Sequence, residues 1–202
     1  MITVVVAGEG KTELGGLAAH PPYRAASPDD GVVVALLRVL EPDLHVQNGK
    51  LWRELPKLRV GEGSLADAEF KNVRKLAVWA NGEGAQVLAF VRDTDGDVER
   101  EQAIERGLES LGDLALSVRV AGGCAERCLE AWLLALAGVT NTESLSAKRA
   151  KADAESRGLS TTAEKVAHVQ QHGRRKLAAD ADRLHQWIIR AEAAIDAGRS
   201  AP

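Results

Sequence analysis

The chain has 202 residues, 45% of them hydrophobic and 3% aromatic, and a net charge of -3. This length holds one domain, or one domain with a small appendage, around a core that must be mostly Leu, Val and Ala. Apolar runs stay short of the ~18 residues of a membrane span, the N-terminus carries no basic leader or cleavage pattern, and two cysteines make no disulfide framework, which excludes membrane-spanning and disulfide-stapled classes and predicts a cytoplasmic protein.

In chain order, Ile2 to Ala7 is a continuous, mostly β-branched run, the pattern of a strand buried on both faces. Gly8 and Gly10 end it, and Thr12 is placed to cap a helix carrying Leu14 and Leu17. His20 to Asp30 is a polar, proline-rich loop. Val32 to Leu40 reads as a helix capped by Asp29 or Asp30, with Pro42 just past its end. Leu44 to Val46 is a weak strand, Gly49 to Gly63 a loop long enough to suspect function, and Ala66 to Trp79 a helix. Gln86 to Val91 is the second clearly buried strand. Val98 to Leu111 is an amphipathic helix with Ile104, Leu108 and Leu111 at helical spacing. Leu114 to Val120 follows as a strand closed by Gly122 and Gly123. Ala125 to Ala137 is a helix with Leu129, Trp132, Leu133 and Leu136 on one stripe. Beyond Gly138 the patterns are helical only, over Ser146–Arg157, Thr161–His172 and Arg175–Ala197. Alternating strands and helices predict an α/β domain over residues 1–140, with a mostly parallel central sheet flanked by helices. A helical extension over 141–202 packs on it.

The charge is divided unevenly. Residues 1–140 hold 15 Lys and Arg against 21 Asp and Glu, whereas residues 141–202 hold 11 against 8. In the extension, Lys148, Arg149, Lys151, Arg174, Arg175 and Lys176 form a basic set suited to a nucleic-acid backbone. Charge of this kind equally decorates a solvated pair of helices.

Gly10-Lys11-Thr12 after a strand invites a phosphate-loop reading. That motif needs a glycine five positions before Gly10, and position 5 is Val, inside the strand. Glu9 would also face the phosphates. Glu9 stands where a strand's carboxyl end opens into a loop, the ligand position of an open α/β sheet, and Glu13 is one helical turn further on. Clustered hard carboxylates suit Mg2+ or Mn2+, although acidic residues at a helix start also suit its dipole without any ion.

Asp93, Asp95 and Asp97 alternate after the second buried strand. In extended chain Asp93 and Asp95 share one side, roughly 6.5–7 Å apart, and like charges so placed raise one another's pKa unless a cation joins them. Asp97 also fits as the cap of the next helix. An EF-hand reading fails, because the sixth position from Asp93 is Val98 and the twelfth is Ile104. Glu126 and Glu130, four apart on a predicted helix, share a face beside its apolar stripe. Cys124 and Cys128 have the same spacing but lack partners for zinc.

Together, Glu9-Gly10-Lys11-Thr12-Glu13 after one strand, Asp93-Thr94-Asp95 after another, and Cys128-Leu129-Glu130-Ala131-Trp132-Leu133-Leu134-Ala135 resemble a TOPRIM domain. The likeness is to the small stand-alone bacterial TOPRIM proteins related to the OLD-family nucleases, and it covers residues 1–140. It implies a TOPRIM-like α/β fold and Mg2+- or Mn2+-dependent cleavage of nucleic acid, DNA more than RNA. Carried over, Glu9 becomes a metal ligand or general base, and Glu13 the second acidic residue of the OLD-like group. Asp93 and Asp95 hold the metal with Asp97 in outer support, and Lys11 neutralises a phosphate. Glu130 matches the Glu-Ala-Trp element, and Glu126 is a possible additional acidic residue. The resemblance also implies an ATPase partner and a part in phage defence, as a nuclease or as a non-catalytic subunit. The proline-rich loop and the tail after 140 depart from the family pattern. The sharpest expectation is geometric: Glu9, Asp93 and Asp95 meet at one edge of one sheet.

Overall fold

The computed structural model describes residues 1–20, 23–25, 28–55, 65–173 and 181–200. Four strands, β1 (Ile2–Gly8), β2 (Leu44–Leu51), β3 (Val87–Asp93) and β4 (Arg119–Ala125), form one all-parallel sheet in the order β2-β1-β3-β4. The helices are α1 (Lys11–Leu14), α2 (Val32–Leu40), α3 (Leu65–Gly82), α4 (Val98–Glu109), α5 (Leu129–Leu136), α6 (Ala147–Ser156), α7 (Thr162–His172) and α8 (Asp182–Arg199). Among the described residues no helix is long and apolar enough to cross a membrane.

The continuous apolar runs of β1 and β3 follow from their place in the middle of three layers. Val4, Val6, Val87, Ala89 and Val91 face a core shared with α2, α5, α6, α7 and α8. Val5, Ala7, Leu88 and Phe90 face a second core shared with α3 and α4. Each strand alternates sides at every residue, and both sides are covered, so no polar alternation survives in the sequence. Helices α6 to α8 contribute Ala150, Ala154, Val169, Leu184 and Trp187 to the first of these cores.

Several boundaries differ from those the sequence pattern predicts. β2 runs on to Leu51, and a register shift between Val4 and Val5 accommodates Gln47. The side chain of Asn48 is held by Arg24 and Glu83. Gly31 is the N-cap of α2, and Asp30 instead pairs with Arg38 at 2.7 Å. β4 begins at Arg119, because the Asn81 side chain takes the amide of Ser117 and Arg119 N donates to Gln86 O at the start of β3. Gly122 and Gly123 therefore lie inside the strand. A Cβ on Gly122 would stand 2.3 Å from the Phe90 ring, so only glycine lets that ring fill the core there.

β4 is an outer strand of the sheet, and α8 lies along it. Arg190 grips Glu105 with both terminal nitrogens and donates to Gly122 O at 3.0 Å. Trp187 donates its indole N–H to Phe90 O, and Gln86 donates to Gly198 O, both at 2.9 Å.

Candidate metal centre at the carboxyl ends of the central strands

Because β1 and β3 are parallel neighbours, with Ala7 opposite Phe90, their carboxyl ends deliver Glu9 and Asp93 side by side. Glu9 Oε1 accepts from the Asp93 amide at 3.1 Å. The chain then enters α1 with Gly10 as N-cap rather than Thr12, because the Glu13 carboxylate turns back to accept from Gly10 N at 2.8 Å. That bond buries Glu13 beside the strand ends. Burial, followed by the charges of Glu9 and Glu130, pushes its carboxyl above the usual range.

Glu130 arrives from the other side. It lies in the first turn of α5, buried, with Lys165 Nζ of α7 at 2.7 Å. Burial works against its ionised form, but the hydrogen bond and charge of Lys165 prevail and hold it below the usual range. Glu126 does not share its face. β4 stays extended to Ala125 because Thr94 N donates to Ala125 O, so α5 starts only at Leu129 and Glu126 precedes it. Cys124 and Cys128 separate for the same reason, one in β4 and one at the N-cap of α5. Burial, then Glu130, pushes the Cys128 thiol up to about 12, which leaves it no thiolate for nucleophilic chemistry.

Asp93 sits among these groups. Burial first, then the charges of Glu9, Glu13 and Glu130, push its carboxyl up to about 8, with Lys151 of α6 acting in the opposite direction. Among the described residues its carboxyl oxygens have no hydrogen bond or ion pair.

Asp95 does not join this group. It takes a left-handed conformation, φ 55°, and its side chain is 71% exposed and directed to Arg100 at 3.3 Å. The chain turns there because Thr94 Oγ1 and Gly96 N both donate to Glu126 O, at 2.5 and 2.7 Å. The extended spacing assumed for Asp93 and Asp95 is thereby lost. Of the three residues expected to meet, two do. Asp97 caps α4 by accepting from Arg100 N at 3.0 Å.

Two arginines and a buried glutamate link the outlying acids. Arg92 pairs with Glu9 and with Glu69, the latter at 3.0 Å, and lies over the Trp52 ring. Glu69 also accepts from Trp52 Nε1 at 2.9 Å and faces Arg100, which reaches Asp95. Sequence reasoning passed over Glu69, Arg92 and Lys165. Lys165 left one clue, its spacing four before the buried Val169 on an amphipathic helix.

Lys11 opens α1 and is exposed, as are Lys148 and Lys151 on α6. Arg149 pairs with Asp153 at 2.9 Å. Arg174, Arg175 and Lys176 lie outside the described residues. Among the described residues no three His, Cys, Asp or Glu side chains close on a common point. The donors are nonetheless hard oxygens, and Asp93 is an unpartnered carboxyl that feels three others, a set whose chemistry fits Mg2+ or Mn2+. No family model, curated protein or solved structure matches the chain.

Proposed function

We propose that this protein is a metal-dependent nuclease of TOPRIM type, cleaving nucleic-acid phosphodiester bonds. One observation carries the reading. Carboxylates from separate elements, Glu9 and Glu13 after β1, Asp93 at the end of β3 and Glu130 on α5, gather at the carboxyl ends of the two central strands. That is where an open parallel sheet holds its ligands. A parallel sheet with a glutamate after the first strand and Asp-Thr-Asp after the third also suits the TOPRIM pattern.

Asp93, Glu9 and Glu13 are the residues that would hold Mg2+ or Mn2+, and the ion would supply Lewis acidity and an activated water. The chain's own residues set the stage for it. The β1–β3 register fixes Glu9 against the Asp93 amide. Lys165 keeps Glu130 ionised beside Asp93. Lys11, Lys148 and Lys151 offer cations to the phosphates of a bound strand, whatever its sequence. Asp95 serves from the rim, tethered to Arg100. The decisive test is cleavage of DNA and RNA with Mg2+ or Mn2+. Glu9→Gln and Asp93→Asn should each lose at least about a hundredfold in rate, and unchanged cleavage by both would sink the proposal.

A second reading has an observation of its own. Glu9 is already paired with Arg92, and Asp95 with Arg100, so two of the acids are satisfied within the protein. This favours a non-catalytic TOPRIM-like subunit that engages nucleic acid or an ATPase partner. Calorimetry with Mn2+ separates the two: saturable binding abolished by Asp93→Asn supports the nuclease, and no binding supports the subunit.

A further inference from the structure

A cleft of about 560 Å3 lies between α1 and α7, within the size range of ligand pockets. Its two walls are elements that also build the acidic centre. α1 gives Lys11 to the cleft and Glu13 to the centre. α7 turns Ala163, Val166 and Ala167 to the cleft and sends Lys165 to Glu130. Lys11, which lines the cleft, is two residues along the chain from both Glu9 and Glu13.

The lining has three kinds of surface. Lys11 is a cation at one end. Ala163, Val166 and Ala167, at helical spacing, make an apolar wall. Asp29, Thr162 and Gln170 are polar groups around it. Asp30 is neutralised by Arg38, whereas the Asp29 side chain has no partner among the described residues. Glu164, whose carboxylate accepts from the amides of Ser160 and Thr161 at 3.0 and 2.7 Å, puts a negative charge at the start of α7 that disfavours an anion there.

We infer that this cleft is a subsite for one unpaired nucleotide of the substrate. The inference rests on the phosphodiester reading of the adjoining carboxylates. Lys11 meets the phosphate, the apolar wall meets a face of the base, and Asp29, Thr162 and Gln170 meet the donors and acceptors of the base edge and sugar. A plain anion would leave the wall and the Asp29 carboxylate without purpose. A hydrocarbon chain would bury Asp29 against it, which is costly. The described lining residues include no aromatic ring, so the cleft offers no platform for a run of stacked bases and takes a single nucleotide. A paired base would bring its complement with it, so the nucleotide enters from a single strand or is extruded from a duplex.

The test is calorimetric titration of the full chain with adenosine 5′-monophosphate and, separately, inorganic phosphate, both in EDTA. The nucleotide should bind at least tenfold more tightly than phosphate. Ala167→Trp, which fills the cleft, should weaken nucleotide binding at least tenfold and leave phosphate binding unchanged. Should that variant not fold, Thr162→Val with Gln170→Ala removes only polar contacts and should weaken the nucleotide at least threefold. Equal binding of phosphate and nucleotide, or wild-type nucleotide binding by these variants, overturns the subsite. Nucleotide binding by a wild-type chain that cleaves nothing keeps the subsite and removes the nuclease. Cleavage without nucleotide binding removes the subsite alone.

Discussion

Replacing Asp93 with Asn removes a carboxyl that the fold holds against its preference. The group is pushed up from 3.8 to about 8 by burial and by Glu9, Glu13 and Glu130. Between those values the folded chain keeps a proton that the unfolded chain has released. The unfolded state thus binds fewer protons, and stability falls as pH rises through this window, levelling off above about pH 8. One such proton corresponds to about 1.4 kcal/mol per pH unit. Partial solvent access and movement of Glu9 and Glu13 soften the penalty. At about pH 8.5 we expect Asp93→Asn to be more stable than the wild type by ~1–3 kcal/mol, the difference shrinking as pH falls toward 4. Urea denaturation followed by circular dichroism, at about pH 5.5, 7 and 8.5, measures it directly. Adding Mn2+ at the alkaline end should reverse the order, because the ion stabilises only the chain that binds it. An Asn variant less stable than the wild type at alkaline pH, or one with the wild-type pH slope, would refute the carboxylate cluster as described.

Lys165→Met should cost about 3 kcal/mol by leaving Glu130 buried and unpaired. Urea midpoints should show a smaller loss in acid, where Glu130 can take up a proton. Gly122→Ala should cost ~1–3 kcal/mol, because the new Cβ meets the Phe90 ring between β4 and α4; near-ultraviolet circular dichroism of the tilted Trp52–Phe90 pair reports the displaced ring. Thr161→Ala should cost about 1 kcal/mol by opening the box in which Thr161 and Glu164 cap α7, read as a lowered melting temperature.

The parts of this fold legible in the sequence are those with local causes. β1 and β3 announce themselves as unbroken apolar runs, α2 is marked by its spacing and the proline past its end, and α4 and α7 are bounded by their own caps, Asp97 and Thr161. Glu9 and Asp93 were within reach for the same reason, since each ends a strand and those strands are parallel neighbours. The misplaced elements have distant causes. Gly122 and Gly123 read as a strand's end, yet they lie within β4 because Phe90 and Trp187 occupy the space a side chain would need. Asp95 reads as the partner of Asp93, yet hydrogen bonds to Glu126 O and an ion pair to Arg100 turn it away. Glu69 and Arg92 are 23 residues apart and have no shared motif, so only packing around Trp52 brings them together.

The helix that lies against β4 comes last in the described chain, and that order has a consequence for biogenesis. Until α8 emerges and docks, Gly122 O lacks its Arg190 donor and the apolar face over Gly123 lacks Trp187. Apolar surface left open in this way favours association with other chains. α8 therefore closes the apolar face of the sheet over β3 and β4. A nascent chain stalled before residue 182 is the species expected to aggregate.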